Sequence, residues 1–340
     1  MKILQVGLGG FGKNHLKAWI ELGFHSSLFV CDLNPLSLKI CRELGLPADR
    51  IASNYKEFID KVDIIDVVTD TLSHFEIAQD ALNKNLHVFV EKPLTLTAID
   101  SLKLFELSEK KKKALQVGYY YRYHPISIKM KELLPVLGNL RYIRGEFMGF
   151  KRARKDVGVM HTDGIHFIDL CNWLLSDHPK QVFALTRDHF GRGLEDLAIG
   201  LFYYNNNIVS KIEAGYIQPG LWKDKVVPHA MTTKTFSVIG SHATLTADFE
   251  TEQLQLFQCH HELQDGTWTL VNRGSEMLPV SSAHTVDLVK KELSDFINQI
   301  NCKKQSHVNA LDSGFKLGKT IEAFYESSRK SKIIEISLNT

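Results

Sequence analysis

The 340-residue sequence predicts a doubly wound α/β domain with a parallel sheet, followed by an α+β domain with a large, mostly antiparallel open sheet. Short apolar runs alternate with amphipathic stretches over the first 118 residues or so. After Tyr123 the pattern changes to longer strand-like segments. The length suits two domains. We place them at residues 1–120 and 121–340, with the closing helices able to pack back on the first domain.

The first strand leads directly into a glycine-rich turn. Residues 3–6 form a short, mainly apolar run, and the segment Gly7-Leu8-Gly9-Gly10-Phe11-Gly12 follows. An amphipathic stretch then carries apolar side chains at helical spacing. A dinucleotide pyrophosphate needs this order, because the first glycine allows a tight turn, the second admits the phosphates and the third lets the helix pack on the strand. We therefore predict that the nucleotide contacts are Gly7, Gly9, Gly10, Phe11 and Gly12.

The second strand, residues 28–31, ends at Asp32. A carboxylate at this position accepts hydrogen bonds from the ribose hydroxyls of NAD and repels the 2′-phosphate of NADP. No Arg or Lys occurs in residues 33–38 to hold that phosphate. Alternatively, Asp32 only belongs to a turn before Asn34-Pro35, a favourable N-cap and N1 pair. The pattern favours NAD as the cofactor, with NADP less favoured.

The remaining elements continue the alternation. The runs 63–69 and 86–90 are mostly apolar, as in strands buried on both faces of a parallel sheet. Helices are predicted at 35–44, 75–83 and 97–112, with a last strand at 115–117. In the second domain, strands are predicted at 140–150, 181–187, 197–204, 208–216, 235–239, 243–247, 253–259 and 333–336, and helices at 164–175, 284–301 and 310–330.

Composition excludes several classes of function. A net charge of +2 gives no reason to expect nucleic-acid or membrane binding, and no apolar run approaches the ~20 residues of a membrane span. We expect no signal peptide, because a strand begins at residue 2. The five scattered cysteines indicate reduced thiols in a cytoplasmic protein. Neighbours in Cys259-His260-His261 point to opposite faces of a strand, so we expect no metal site.

Three segments together resemble a known family. Glu91-Lys92-Pro93 directly follows a parallel-sheet strand, where ligands bind in open α/β sheets. The other two segments are residues 118–125 and 158–170. With the glycine turn, they resemble the Gfo/Idh/MocA family of nicotinamide-dependent, mostly sugar-modifying oxidoreductases, nearly from end to end.

The resemblance implies that Lys92 lies beside the nicotinamide and the reacting hydroxyl, that Glu91 and Pro93 contribute to the cofactor site, and that Pro93 follows a cis peptide. Oxidation of an alcohol requires a base within hydrogen-bond reach of the hydroxyl. A buried lysine near the positive nicotinamide loses its proton more easily, because burial and like charge both disfavour the ammonium form. The alternative is an exposed lysine in a turn.

His166 matches the histidine of the family's second-domain motif, which implies a partner for the substrate hydroxyl. Many members carry Asp or Asn four residues before it, where this chain has Thr162. Asp163 lies three residues before it and is alternatively only a helix N-cap. We predict that Lys92 and His166 handle the proton jointly and that Asp163 orients them. Which of the three is the base stays open.

Further positions are implied by the same resemblance. Cofactor contacts are expected at Thr69, Thr71 and His74, although a structural role fits equally well. Tyr121 and Arg122 approach nicotinamide or substrate, or else pack between domains. A basic loop either is a solvated face or clamps a carboxylate or diphosphate. The residues expected to bind substrate are Tyr121, Arg122, Lys151, Arg152, Arg154, Thr162, Asp163 and His166, with Lys155 in the same loop.

The predicted function is NAD-dependent oxidation of a secondary hydroxyl of a sugar or sugar derivative to a ketone, with a nucleotide sugar as one option. Two alternatives are a glycosidase that uses NAD transiently and a non-catalytic regulator that binds NAD or sugar. An open sheet has one face to cover, so we expect a homodimer or a homotetramer.

Overall fold

The computed structural model describes residues 1–302 and 308–339, and the chain forms two units. The first unit comprises Met1–Tyr120 and His284–Gly318. The second comprises Tyr121–Ala283 and residues 319–339.

The first unit contains a six-stranded parallel sheet, which confirms the predicted doubly wound domain. The sheet has the strand order β3-β2-β1-β4-β5-β6. Its strands are short and almost wholly buried, since helices cover the sheet. The elements are β1 (Ile3–Val6), α1 (Gly12–Glu21), β2 (Leu28–Cys31), α2 (Lys39–Glu43), β3 (Ile51–Ala52), β4 (Ile64–Val67), α3 (Thr71–Asn83), β5 (His87–Glu91), α4 (Ala98–Lys111) and β6 (Leu115–Gly118).

The second unit contains a ten-stranded, mostly antiparallel sheet, again as predicted. Its strand order is β15-β14-β13-β12-β7-β10-β9-β8-β16, with β11 paired to β12 and a single parallel pairing, β10 with β7. The elements from here to the end of the described chain are α5 (Pro125–Leu133), β7 (Leu140–Phe150), α6 (Ile165–Leu175), β8 (Gln181–Arg187), β9 (Leu197–Tyr203), β10 (Val209–Gly215), β11 (Trp222–Lys223), β12 (Met231–Gly240), β13 (Thr244–Asp248), β14 (Gln253–Gln264), β15 (Thr267–Leu278), α7 (Thr285–Cys302), α8 (Leu317–Lys330) and β16 (Ile334–Glu335).

Two helices begin with a π-helical turn, Met160–Gly164 before α6 and Leu311–Lys316 before α8. Helix α7 belongs to the first unit, where Val289, Leu293 and Phe296 join the core around Trp19 and Phe89. Short 3₁₀ turns lie at His25–Ser27, Ala48–Arg50, Tyr55–Glu57, Ile59–Lys61, Tyr120–Tyr123, Leu134–Leu137 and Asn205–Asn207.

Several predicted bounds were wrong. Helix α2 begins at Lys39 instead of residue 35, and α3 begins at Thr71 instead of 75. No side-chain hydrogen bond caps either helix start; Leu38 before α2 gives no N-cap signal, whereas Asp70 before α3 is a favoured N-cap type that was overlooked. Strand β3 has only two residues and was not predicted. Strand β15 was missed and β14 was cut short, although Asp265-Gly266 between them is a hairpin signal, with both residues at positive φ.

The described residues contain no helix that is both long and apolar enough to cross a membrane. All five cysteines are free thiols, and Cys31, Cys41 and Cys171 are buried. In β14, Cys259 contacts Asn272, and His260 lies 2.9 Å from a Glu262 oxygen.

Candidate functional site

The glycine turn after β1 is held in a conformation that side chains would prevent. Gly7 has φ of +103°, and a Cβ there would lie 2.4 Å from the Val68 carbonyl oxygen. A Cβ at Gly12 would lie 2.3 Å from the Gly7 carbonyl oxygen, so the helix can begin close to the strand only with glycine here. The buried Gln5 side chain donates to the carbonyl oxygens of Gly7 and Gly12, at 2.9 and 2.7 Å. The turn is therefore shaped before any ligand arrives.

The outer side of the same turn is open. Gly9 and Gly10 are exposed, and no described atom lies within 4 Å of a Cβ built on either. Helix α1 starts at Gly12 without a side-chain cap and without an acidic residue in its first turn. Uncapped N–H groups at a helix start bind anions such as a pyrophosphate. These residues fit a dinucleotide.

Asp32 follows β2 and ties two loops together. One carboxylate oxygen accepts the Leu8 N–H at 2.6 Å, and the other accepts the Asn34 N–H at 2.7 Å. Asp32 therefore stabilises the turn before Asn34-Pro35, as the alternative interpretation predicted, and it also holds the glycine turn in place. Each carboxylate oxygen has a second lone pair, so these contacts leave room for ribose hydroxyls.

The residues expected to contact the cofactor after β4 also hold the neighbouring loops together, and their cofactor role stays a prediction. The ring nitrogens of His74 lie 2.9 Å from the Pro93 carbonyl oxygen and 3.1 Å from the Thr69 carbonyl oxygen. His74 thus joins the loops that follow β4 and β5. The Thr69 and Ser73 hydroxyls are 2.7 Å apart, and Thr71 is buried at the start of α3.

Lys92 stands at the carboxyl end of β5, and the Lys92–Pro93 peptide bond is cis. The side chain of Glu91 turns back, and its Oε2 accepts the Lys92 N–H at 3.2 Å. A Cβ at Gly118 would lie 2.3 Å from Oε1 of Glu91, so the absent side chain on neighbouring β6 makes room for this carboxylate. Glu91 therefore fixes the backbone from which Lys92 projects.

Behind Glu91 lies a buried polar cluster that the sequence analysis missed. His15 Nδ1 is 2.9 Å from Asp66 Oδ2, and His15 Nε2 is 3.2 Å from Glu91 Oε1. The Trp19 Nε1–H donates to the same Asp66 oxygen at 2.7 Å. Burial alone would lower the pKa of His15, but the two carboxylates more than offset it and raise the pKa to about 10. An acidic residue in the apolar run of β4 was the signal that could have revealed the cluster.

In the second unit, Asp163 lies in the π-helical turn before α6. The Lys151 ammonium donates to Asp163 Oδ1 at 2.6 Å, and both side chains are almost fully buried. Asp163 Oδ2 is buried and has no hydrogen-bond partner among the described residues. Since α6 begins without a side-chain cap, the alternative that Asp163 is only an N-cap is wrong. Asp163 is a paired carboxylate with one oxygen available.

His166 is 4 % exposed and lies among aromatic rings. Its ring centroid is 5.1 Å from that of Tyr121 and 6.4 Å from that of Phe147, on which it stacks. Tyr121 also packs edge-on against Phe249. The aromatic rings hold the imidazole of His166 in place.

Thr162, in the π-helical turn before α6, has a local partner: its hydroxyl donates to the Gly158 carbonyl oxygen at 2.9 Å.

Arg122 is committed to a partner within the second unit. Its Nε and Nη2 donate to the two carboxylate oxygens of Asp169 in α6, at 2.8 and 2.6 Å. A paired guanidinium and carboxylate of this geometry form a strong, directional contact. Arg122 therefore anchors the segment after Tyr120 to α6.

Two of the four cations in the basic loop after β7 are paired with carboxylates of the chain itself. Lys151 pairs with Asp163, and the guanidinium of Arg154 is matched by both oxygens of Asp156. Arg152 and Lys155 are exposed. Because Lys151 and Arg154 each already have a carboxylate partner, a substrate anion would have to compete with that partner, and substrate binding by this loop stays a prediction.

A second missed network supports the π-helical turn. The Tyr325 hydroxyl donates to Glu195 Oε1 at 2.6 Å and lies 3.0 Å from His161 Nδ1. Glu195 also accepts the Met160 N–H at 3.0 Å. Burial and the neighbouring Glu195 charge raise the pKa of Tyr325 well above its ordinary value. Because a Cβ at Gly158 would lie 1.8 Å from the Glu195 carboxylate, this network requires glycine there.

A third buried cluster lies beside Phe147. Lys234 Nζ is 2.9 Å from Asp224 and 2.5 Å from Glu250, and it sits 5.0 Å from the Phe147 ring centroid. Lys151 Nζ lies 4.7 Å from the centroid of the same ring. Although burial opposes it, the Lys234 charge lowers the pKa of Asp224 to about 2. Phe147 thus contacts two ammonium groups, both paired with carboxylates.

Comparison with known proteins agrees with this architecture. The family model described as "Oxidoreductase family, NAD-binding Rossmann fold" matches residues 1–119, and "Oxidoreductase family, C-terminal alpha/beta domain" matches residues 131–336. A solved UDP-N-acetylglucosamine 3-dehydrogenase from Acidithiobacillus ferrooxidans has the same fold, with a TM-score of 0.80 and 20 % identity over 97 % of this chain and 98 % of that one. The solved structure of levoglucosan dehydrogenase in complex with NADH matches with a TM-score of 0.81 and 17 % identity, over 99 % of each chain.

Among curated relatives, inositol 2-dehydrogenase from Salmonella typhimurium is 28 % identical over 191 residues, which are 52 % of this chain and 55 % of the relative. The chain thus matches only about half the length of these curated relatives. The two family models together cover most of the sequence. The chain therefore belongs to the Gfo/Idh/MocA oxidoreductase family, with an NAD-binding Rossmann domain followed by the family's C-terminal α/β domain.

Proposed function

We propose that this chain is an NAD-dependent dehydrogenase that oxidises a secondary hydroxyl of a sugar or cyclic polyol to a ketone. In this proposal, Lys92 and His166 handle the proton that leaves the hydroxyl, and Asp163 orients the reacting groups. The names of the relatives support the reaction class, since they include an inositol 2-dehydrogenase and a UDP-N-acetylglucosamine 3-dehydrogenase.

The position of Lys92 carries the proposal. Lys92 follows β5, Asp32 follows β2 and the glycine turn follows β1, and all three strands run parallel in one sheet, with β4 between β1 and β5. The carboxyl ends of parallel strands form the edge where open α/β sheets bind their ligands. An ammonium group at this edge is therefore well placed to act on a substrate beside a bound dinucleotide.

Bound NAD supplies the hydride acceptor, and the chain's residues supply the rest. Lys92 receives the hydroxyl proton at Nζ, which requires the neutral amine before the step. His166 holds the substrate oxygen from a ring fixed between Tyr121 and Phe147. The available Oδ2 of Asp163 accepts a hydrogen bond from a second substrate hydroxyl, while Oδ1 stays with Lys151. These groups orient and deprotonate the alcohol.

The ion pairs of the second unit favour an uncharged substrate over a nucleotide sugar. Lys151 and Arg154 already have carboxylate partners. Binding a diphosphate at either would break a charge-assisted contact to form another, so little affinity would be gained. Neutral sugars and inositols are therefore the first substrates to test.

The test measures formation of reduced nicotinamide when the protein and NAD are mixed with neutral sugars, inositols and nucleotide sugars. We expect a signal from one neutral class. Lys92→Met should still bind NAD but lose about 10²–10⁴-fold in turnover, the range of general acid–base catalysis. The exposed Lys110→Met is the matched control and should keep wild-type turnover.

Two outcomes would contradict the proposal. Near-normal turnover in Lys92→Met would remove this lysine from the mechanism. No signal from any substrate, with NAD binding intact, would argue against a dehydrogenase. A nucleotide sugar as the sole substrate would keep the reaction but reject the preference for neutral compounds.

We further propose that the protein works as a homodimer or homotetramer in a reducing compartment such as the cytoplasm. Strands β8, β9 and β10 alternate buried with partly exposed residues, as in a sheet with one open face. The free thiols support the compartment. Light scattering coupled to gel filtration gives the oligomeric state, and a monomer at working concentration would refute the assembly.

A further inference from the structure

Four ionisable side chains from four elements meet inside the first unit. His15 comes from α1, Asp66 from β4, Glu91 from the end of β5 and Glu292 from α7. Three of them are completely buried, and Glu91 is 7 % exposed. Only one of the four, His15, can carry a positive charge. With all three carboxylates ionised, the cluster lacks positive charge.

Glu292 is the unexplained member. Neither of its carboxylate oxygens has a hydrogen-bond partner in the described part of the chain. If ionised, it is a buried charge without a partner. If protonated, it carries a buried O–H without an acceptor. Native proteins rarely leave such groups unsatisfied. The side chain therefore points to an occupant of the cluster.

The spacing of three of these side chains suits a metal ion. One ligand atom each from His15, Glu91 and Glu292 lies within 4.8 Å of the other two. Ligands about 2.0–2.2 Å from a tetrahedral ion lie about 3.3–3.6 Å apart. His15 Nε2 and Glu91 Oε1 are already 3.2 Å apart, so a small shift of Glu292 would complete the set.

The hydrogen bonding at the second ring nitrogen of His15 is typical of a metal-ligating histidine. Asp66 lies against Nδ1 and is itself held by the Trp19 N–H. A carboxylate on the second nitrogen fixes the ring's orientation and directs Nε2 to the ion, as in carboxylate–histidine–zinc arrangements. One imidazole and two carboxylates suit Zn²⁺ and related transition ions, whereas Mg²⁺ and Ca²⁺ prefer oxygen alone.

We propose that His15, Glu91 and Glu292 form a buried site for a divalent transition metal ion, with Asp66 orienting His15. The ion would replace the proton on Nε2 and balance the charge of both glutamates. It would also join α1, β5 and α7 directly behind Lys92, because Glu91 accepts the Lys92 N–H. The inference departs from the sequence-based expectation of no metal, and it does not depend on the proposed reaction.

The test uses the full-length chain, stripped with a chelator and titrated with Zn²⁺ against a chromogenic competitor. We expect one tightly bound equivalent. Glu292→Gln should weaken binding more than about 100-fold, beyond the effect of losing an outer partner, and Asp66→Asn should weaken it about 10–100-fold. Glu109→Gln, the same change at an exposed position of α4, is the control and should bind like wild type. Zn²⁺ should raise the melting temperature of wild type and Glu109→Gln most, that of Asp66→Asn less and that of Glu292→Gln least.

Two results would overturn the site. Wild-type protein that binds no stoichiometric Zn²⁺ refutes it without any variant. Equal binding by wild type and Glu292→Gln refutes the ligand set. The visible spectrum of Co²⁺-loaded wild type needs no mutation. With water or a second carboxylate oxygen as the fourth ligand, it should show the strong bands of a four-coordinate ion. Weak six-coordinate bands would place Co²⁺ elsewhere.

Discussion

His87 at the start of β5 should make the first unit less stable as the pH falls. Its Nδ1 accepts the Ala114 N–H at 3.0 Å, which requires an unprotonated nitrogen. Burial and the positive charge of Lys113 lower the pKa of His87 from 6.5 to about 4. The unfolded chain therefore binds this proton first. The contribution is fully present above pH 6.5 and is lost as the pH falls toward 4.

The size of the effect follows from these two pKa values. At about pH 5 the exponents pKa − pH are about 1.5 for the unfolded chain and about −1 for the folded chain. The lost stability relative to about pH 7.5 is then RT ln[(1 + 10^1.5)/(1 + 10^−1)], or about 2 kcal/mol. His87 is partly exposed, and solvent screening reduces this to about 1–2 kcal/mol. Other groups titrate over the same range, so wild type must be compared with a variant that lacks only this proton.

His87→Asn is that variant, because its side-chain oxygen can accept the Ala114 N–H and does not titrate. Urea unfolding at both pH values should show that wild type loses about 1–2 kcal/mol more than His87→Asn. An NMR titration of the His87 ring should give a pKa near 4. The reasoning fails if both proteins lose the same stability, or if the ring titrates near 6.5.

Three further predictions concern residues of the candidate site. Lys151→Met leaves Asp163 buried without its cation and should lower the free energy of unfolding by about 3 kcal/mol, while Lys151→Met/Asp163→Leu recovers most of the loss; strictly additive losses in denaturant titrations would contradict the pairing. Asp32→Ser removes the acceptor of the Leu8 N–H and should weaken NAD about tenfold, with a smaller effect on NADP; an unchanged ratio of the two affinities would rule out the ribose role. Gly158→Ala pushes a Cβ into the Glu195 carboxylate and should lower the melting temperature by about 4 °C or more, whereas Gly10→Ala, with open space around it, should change it little; equal shifts in thermal scans would show that Glu195 moves freely.

The fold was largely predictable because its signals are local. The glycine turn, the apolar runs of β4 and β5 and the alternation of β9 and β10 each reflect neighbours in sequence. The φ of +103° at Gly7 and the close approach at Gly12 are what the spacing of the glycines implies. Asp32 and Lys92 are predicted at strand ends because each closely follows a short apolar run.

The partners of charged groups were not predictable. Arg122 and Asp169 are 47 residues apart in sequence, and His161 and Tyr325 are 164 apart. Such pairs depend on how distant elements pack, which no periodic pattern records. Lys151 and Asp163 are only 12 residues apart, but the loop after β7 and the π-helical turn that carry them meet only through folding. Short strands such as β3 carry too few residues to show any period.

The return of α7 to the first unit has a consequence for synthesis. Trp19 and Phe89 emerge early from the ribosome, yet Val289, Leu293 and Phe296, which cover them, are made only after the whole segment Tyr121–Ala283. While the second unit is being translated, the apolar surface of the nascent Rossmann domain around Trp19 and Phe89 therefore stays uncovered. A fragment that stops near Tyr120 should be captured by chaperones or aggregate, and supplying α7 as a separate peptide should rescue it.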